Sequence, residues 1–273
     1  MPGRLGGTAM SAWDYAQCAY GEIECAYLLD TCPYCRASLN QLDPDMDDGR
    51  FGYFTEVWVG ICQLCGWWNA RGEARERVDA HTEAVYELGS FGVLKNLDLK
   101  NIETPLQEVR DYLTVKYDDR LQMDPQLFER TVGSVFGDHG YEPQVTAYSH
   151  DGGIDVILAD DETRIGVQIK RWKNRIEAEQ IRSLMGAMVQ AGLTRGMFVT
   201  TSSFRSGAFK TADRYTSLGR PVTLVDAPRF FDALGFSQTR VDRSTGAWIT
   251  KIRPHLKKLG AFSDINEGRF YED

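Results

Sequence analysis

Asp151-Gly152-Gly153-Ile154-Asp155-Val156, followed after a short interval by Val167-Gln168-Ile169-Lys170, is the stretch from which the fold of this chain is read. The glycine pair after an aspartate marks a tight turn, and apolar runs at residues 154–158 and 165–169 predict the two strands of a hairpin. Side chains alternate along a strand, so Gln168 and Lys170 share one face of the second strand while Asp155 stands near the start of the first. Three polar groups then converge on one end of a sheet. Taken alone, the D-G-G-I-D segment is an ordinary turn. With Q-x-K at hairpin separation it gains a chemical reading. Asp155 offers an anionic oxygen suited to Mg²⁺, a hard cation that keeps several waters and binds phosphate oxygens. Lys170 offers a cation that orients or helps deprotonate an attacking water and screens a phosphorane. The pattern asks for phosphodiester chemistry.

Outward from the hairpin, helix signals appear on both sides. Thr104-Pro105-Leu106-Gln107 reads as a cap, a proline at the first helical position and a capping-box glutamine, leading into a helix over residues 108–115. Asp124-Pro125 repeats the signal and opens a helix in which Phe128, Val132, Val135 and Phe136 recur at helical spacing. Residues 141–148 read as extended. Beyond the hairpin come a helix at 177–191, a strand at 197–201, a helix at 206–217, a strand at 222–225 and a short helix at 229–234. Helix, three strands, then alternating helices and strands is the order of an α/β sandwich. No period of solenoid length recurs.

At this point the sequence resembles the Mrr-like restriction endonucleases of the PD-(D/E)XK nuclease superfamily, in which Gln often replaces the acidic residue before x-Lys. The resemblance runs over residues 124–234, through Phe128-Glu129-Arg130, Gly140-Tyr141, the D-G-G-I-D turn, Gln168-Ile169-Lys170-Arg171 and the run Met197 to Phe204. It implies a restriction-endonuclease-like mixed sheet flanked by helices. By carry-over Asp155 is the principal metal ligand and Lys170 the catalytic lysine. Gln168 lines the site in place of Glu, and Glu129 is a first-helix acid that reaches the metal directly or through water. Gln168 departs from the superfamily carboxylate and withdraws one negative charge, which bears on metal affinity and ion number. Glu129 also fits the plain description of a solvated polar position on an amphipathic helix.

Lys170, Arg171, Lys173, Arg175 and Arg182 face only Glu177 and Glu179 across residues 170–182. Beside a nuclease centre, Arg171, Lys173, Arg175 and Arg182 are candidates for holding phosphates; elsewhere they would be a solvated face. Trp172 either stacks on a base or closes the core.

A second constellation lies upstream. Cys32-Pro33-Tyr34-Cys35 and Cys62-Gln63-Leu64-Cys65 are two C-x-x-C knuckles, each aiming two thiolates at one ion, and together they make the Cys₄ set preferred by structural Zn²⁺. The 26 residues between them exceed the usual ~15–20, an excess that a β-hairpin absorbs. Phe51, Tyr53, Thr55, Val57 and Val59 alternate as a strand would. Cys18 and Cys25 lack ligand spacing and read as buried thiols. None of His81, His139, His150 and His255 stands at metal-ligand spacing, and His150 reads as a turn residue beside the hairpin.

These readings divide the chain into a β-rich zinc-ribbon-like module at 1–70, a connector at 71–103 in which Arg71, Glu73, Arg75, Glu76 and Arg77 suggest a solvated helix, a nuclease domain at 104–240 and a C-terminal extension at 241–273. The extension, with Trp248, Lys251, Arg253, Lys257 and Lys258, is an added DNA contact or a packing tail. The chain of 273 residues is 42% hydrophobic and 26% charged, the composition of a globular protein. Its net charge of −8 would argue against a polyanionic partner. The acidity, however, is confined to residues 1–120, with 11 Lys and Arg against 20 Asp and Glu, while residues 121–273 hold 20 against 19. With no signal peptide and no apolar run of membrane length, a cytoplasmic protein with no membrane partner is expected.

The expected function is a DNA endonuclease using Mg²⁺ or Mn²⁺, with Zn²⁺ structural, in restriction or phage defence. The alternative is a catalytically inactive DNA-binding or scaffold protein that kept the fold. Cutting both strands takes two active sites, which a homodimer supplies, and the N-terminal module is a place for a protein or small-signal regulator. No G-x-x-x-x-G-K-[ST] loop is present, so the chain has no motif for ATP-driven movement.

Overall fold

The computed structural model describes residues 12–15, 29–41, 45–46, 55–77, 79, 83–146, 152–243 and 257–264. Two compact units are present, one holding residues 96–240 and the other residues 11–95 and 241–273.

The smaller unit is an antiparallel sheet. Its strands are β1 (Trp13–Tyr15), β2 (Leu39–Gln41), β3 (Asp45–Met46), β4 (Thr55–Cys62), β5 (Trp68–Arg77) and β6 (Glu83–Leu94). They lie in the order β1-β6-β5-β4-β2, with β3 beside β4. Val59 and Ile61 of β4 are fully buried, as are Trp67, Trp68 and Ala70 at the start of β5. The strand read at residues 51–59 is found in its second half, while 51–54 lie outside the described residues. The stretch expected as a solvated helix or connector from residue 71 is strand β5 instead, and β6 carries the sheet on to Leu94. The reason is visible in the chain. Ala70, Gly72 and Ala74 alternate with Arg71, Glu73 and Arg75, a period of two whose small members do not register as an apolar face.

The larger unit begins with α1 (Leu106–Val115), a 3₁₀ turn (Tyr117–Gln122) and α2 (Pro125–Asp138). Next come β7 (Glu142–Val145), β8 (Val156–Ala159), β9 (Arg164–Lys170), α3 (Ala178–Gln190), β10 (Arg195–Thr200), α4 (Ser206–Ser217), β11 (Val222–Val225) and α5 (Ala227–Thr239). The five strands are ordered β11-β10-β9-β8-β7. Pairs β7/β8 and β8/β9 are antiparallel, whereas β9/β10 and β10/β11 are parallel. This is the expected mixed sheet flanked by helices.

Helix α2 starts as read: Asp124 accepts from the amides of Gln126 at 2.8 Å and Leu127 at 3.3 Å, with Pro125 following. Thr104 does not cap α1. Its hydroxyl donates to Asp98 O at 2.8 Å, and Pro105 occupies the cap position. Across the sheet, Phe198 belongs to the core beneath α3 and α4 with Leu184, Met188 and Leu224. On α2 and α5, Phe128 and Phe230 pack edge to face with ring centroids 5.5 Å apart. Helix α5 runs well beyond the expected 229–234 because its C-terminal turn carries polar residues that are buried in this fold, Ser237 and Gln238.

The segment read as an extension returns to the smaller unit. Strand β12 (Lys257–Asp264) pairs antiparallel with Glu83–Gly89 of β6, while β1 pairs with Gly92–Leu94 of the same strand. Trp248, Lys251 and Arg253 lie outside the described residues.

Candidate active site and cysteine cluster

Asp155 stands immediately before β8 and is tied to β9 twice. Its amide donates to Val167 O at 2.8 Å, and its carboxylate Oδ2 accepts from the Ile169 amide at 2.6 Å. Ile169 is the middle residue of Gln168-Ile169-Lys170, so the carboxylate is anchored between the two other candidate groups. Thr146, just after β7, holds the backbone from the far side, its hydroxyl donating to Ile154 O at 2.6 Å and to Asp155 O at 3.1 Å. Gly152 and Gly153 take φ of +59° and +103°, which side chains disfavour. A Cβ at Gly153 would also lie 3.1 Å from Gln168 Nε2. Close approach of the turn to Gln168 therefore requires that glycine.

Gln168 is 4% exposed, and its Oε1 has no hydrogen-bond partner. A buried amide oxygen without a donor costs free energy, of order 1–3 kcal/mol in mutational data. Lys170 ends β9 half-buried, its carbonyl accepting from Thr200 Oγ1 at 3.0 Å and the Thr201 amide at 3.2 Å. Glu129 is half-buried on α2, one turn before Gly133, where a Cβ would stand 3.9 Å from Val156 Cγ1. At Gly133 the helix lies against Pro143 of β7 as well as Val156 of β8, and Glu129 stands one turn earlier in the helix. The structure brings Asp155, Gln168 and Lys170 to the adjoining ends of β8 and β9, with Glu129 on the covering helix. His150 and Asp151 lie outside the described residues.

The candidate phosphate-holding cations separate into two kinds. Arg171 is half-buried and its Nη1 donates to Leu121 O in the 3₁₀ turn, a contact internal to the protein. Lys173, Arg175 and Arg182 are exposed. Trp172 is 42% exposed and does not close the core. The pinning roles of the Thr146, Thr200 and Thr201 hydroxyls went unread in the sequence, because a hydroxyl that pins a distant carbonyl leaves no local periodic signal.

The four cysteines form one cluster. Cys32 Sγ lies 3.5 Å from Cys65 Sγ, and Cys35 Sγ lies 3.3 Å from Cys62 Sγ and 3.7 Å from Cys65 Sγ. Among the described residues they are the one group of three or more His, Cys, Asp or Glu ligands close enough to share an ion, all four sulfurs lying within 4.8 Å of one another. Tetrahedral Zn–S bonds of ~2.3 Å set sulfurs ~3.8 Å apart, so the donor set fits zinc. The two knuckles repeat one geometry. Arg36 N donates to Cys32 O at 3.0 Å as Gly66 N does to Cys62 O at 3.0 Å, with Arg36 and Gly66 at φ of 66° and 73°. The thiols perturb one another: hydrogen bonding with Cys32 lowers Cys62 to about 7 and also lowers Cys35, whereas Cys32 and Cys65 are raised. Ionising all four sulfurs at this spacing would require a cation among them. Arg243, 1% exposed, donates from Nε to Gln63 O at 3.1 Å inside the second knuckle. Cys18 and Cys25 lie outside the described residues.

Residues 120–234 match the family described as a restriction endonuclease, Mrr_cat. This segment is similar to Mrr-type restriction endonuclease domains. The chain is 32% identical over 116 residues to the type IV methyl-directed restriction enzyme EcoKMrr of Escherichia coli, covering 39% of this chain and 38% of that protein. It is 27% identical over 144 residues to the uncharacterized protein y4cE of Sinorhizobium fredii, covering 50% of this chain and 35% of the other. The matches thus span little more than a third of the length of these curated relatives. Among solved structures, the DNA modification-dependent restriction endonuclease AspBHI is similar at 19% identity and a TM-score of 0.38, over 59% of this chain and 43% of AspBHI. MspJI, solved in complex with a 27-mer oligonucleotide, is similar at 17% identity and a TM-score of 0.33, over 59% of this chain and 39% of its own. Among the described residues no helix is long and apolar enough to cross a membrane.

Proposed function

We propose that the chain is a divalent-metal-dependent DNA endonuclease acting in restriction and phage defence, with Asp155, Gln168 and Lys170 as its centre. The observation that carries this reading is the Asp155 carboxylate held on the Ile169 amide at 2.6 Å, between Gln168 and Lys170, inside an Mrr-type domain. The donor set suits a hard cation: one half-buried carboxylate, a buried amide oxygen in want of a partner and, from α2, the Glu129 carboxylate. Asp155 would hold Mg²⁺ or Mn²⁺, and Glu129 would reach it directly or through water. When bound, such an ion acts as a Lewis acid on the phosphate and makes its water more acidic. The protein's own contribution is positioning. The Ile169 amide fixes Asp155, the turn glycines admit Gln168, and the Lys170 ammonium orients the attacking water and balances charge developing on the phosphate. Lys173, Arg175 and Arg182 would hold the flanking backbone. The cysteine cluster would hold one structural Zn²⁺, because four thiolate ligands leave no open position for catalysis.

Purified protein incubated with plasmid in Mg²⁺, Mn²⁺ or EDTA tests the reading directly. Cleavage should appear with either metal and vanish in EDTA. Asp155→Ala and Lys170→Ala should each lower the rate by about 10²–10⁴-fold, with circular dichroism and most DNA affinity unchanged, since phosphate contacts elsewhere hold the duplex. Full cleavage by either variant would refute the assignment, and DNA bound but never cut would leave a binding protein.

A further inference from the structure

Residues 171–176 leave β9 as a bridge whose backbone is fastened along its length. Thr201 Oγ1 donates to Trp172 O at 2.9 Å and Ser202 Oγ to Lys173 O at 3.0 Å. At the far end, the Ile176 amide donates to Ser203 O at 2.9 Å. At its start, Arg171 is engaged with Leu121 O. What the bridge presents outward is Trp172, 42% exposed, with Lys173, Asn174 and Arg175, all exposed. Exposing a large indole on a fixed backbone forgoes a substantial burial energy, roughly 25 cal/mol for each Å² of apolar surface left in water. Neighbouring residues solve the same packing problem differently: Ile176 and Phe204 are buried.

We infer that Trp172 is a base-stacking contact, holding a base unstacked beside the phosphate that Lys170 engages. The inference rests on the nuclease reading of this site. Trp172 is two residues beyond Lys170, about 7 Å along an extended chain, which is about two steps of a nucleic-acid strand at ~3.4 Å each. The ring and the catalytic lysine therefore address the same few nucleotides. An indole stacks on any base, with a gain of about 1–3 kcal/mol per base, and flanking cations supply the backbone contacts. A protein partner suits the patch less well, because the centres of protein interfaces are depleted in charged residues and in Lys particularly. Faces of bases in a continuous duplex are covered by their neighbours, so this contact requires at least one base to leave the stack.

A duplex carrying 2-aminopurine, whose emission rises on unstacking, is titrated with the full chain in Ca²⁺, and cleavage of the same duplex is followed in Mg²⁺. Wild-type protein should raise the emission. Trp172→Ala should abolish the rise and lower kcat/KM about 5- to 100-fold, while Trp172→Phe, which can still stack, should keep most of both. The proposal is overturned if Trp172→Ala preserves the emission change and the cleavage rate. It is equally overturned if that variant instead dissociates a dimer in sedimentation, which would make the indole an interface with a second copy. Wild-type cleavage with no emission change at any labelled position overturns stacking alone. Wild-type protein that neither binds nor cuts DNA overturns the nuclease reading as well.

Discussion

Gln168 is the residue at which this site parts from an all-carboxylate centre. Its amide is buried, with an oxygen lacking a donor. Replacing it by Glu adds attraction for a divalent ion while burying a charge that, without the ion, has lost its water. Gln168→Glu should therefore lower the melting temperature of metal-free protein, regain stability on adding Mg²⁺, and reach half-maximal cleavage at less metal. A metal titration followed by scanning calorimetry and plasmid cleavage checks this, and an unchanged metal requirement would count against Gln168 lining the ion site. A second residue-level expectation concerns Tyr112. Burial, aided by its hydrogen bond to Asp119 at 2.8 Å, pushes its phenol up to about 12. An unfolded tyrosine ionises near ~10, so the folded state holds the proton longer. The resulting stability is complete below the unfolded value and is lost as pH climbs from about 10 to about 12. Urea midpoints at about pH 9 and pH 11.5 should fall, and Tyr112→Phe should flatten that fall. At this scale the sequence was informative about placement: it set Asp155 beside Gln168 and Lys170 at adjoining strand ends and the four cysteines in two matching knuckles, which is where they lie. It grouped Arg171 with the phosphate-holding candidates, whereas its guanidinium turns inward to Leu121 O, because a charge that satisfies a distant carbonyl looks the same in a sequence as one facing solvent.

Helix starts show how element-level reading succeeds and fails. Asp124 and Thr104 are both good capping types before a proline, yet only Asp124 receives amide hydrogen bonds, while Thr104 is drawn to Asp98 O. Asp124→Ala should cost about 0.5–2 kcal/mol in urea unfolding of the larger unit. Asp124→Asn, which keeps the acceptor, should cost little, and equal losses for the two would deny the cap. Strands β8 to β11 were legible because each is an apolar run between turn residues, whereas β7, Glu142-Pro143-Gln144-Val145, read only as extended; α3 and α4 fell close to their expected bounds. Strand β5 was not, since its small residues alternate with charges that suggested a solvated helix. Strand β12 had no local signature either: what fixes Lys257–Asp264 is pairing with Glu83–Gly89 of β6, far earlier in the chain.

Across the whole molecule, the candidate nuclease residues belong to one unit and the cysteines to the other. Loss of zinc should therefore act first on the module of residues 11–95 and 241–273. Small units have too little core to be stable easily, and a structural ion contributes folding free energy directly. Elemental analysis should give close to one zinc per chain. Cys62→Ser should lower that ratio and make the module protease-sensitive while the larger unit stays resistant. Truncation after Arg240 should have a similar effect, because it removes both β12 and the Arg243 contact with Gln63 O. A zinc-free protein with a protease-resistant module would refute the assignment.

The shared edge of β6 also sets a schedule. Its end at Gly92–Leu94 is matched by β1, made earlier, but the run Glu83–Gly89 must wait for β12. On the ribosome, at ~5–20 residues per second, that interval lasts roughly 10–30 s, long enough for the intervening domain to fold first. Throughout it a row of unpaired amides and carbonyls stands open to any passing strand. Nascent chains of this protein are thus most prone to mispairing late in synthesis, and premature stop codons past residue 240 would yield a finished nuclease fold attached to an aggregation-prone sheet.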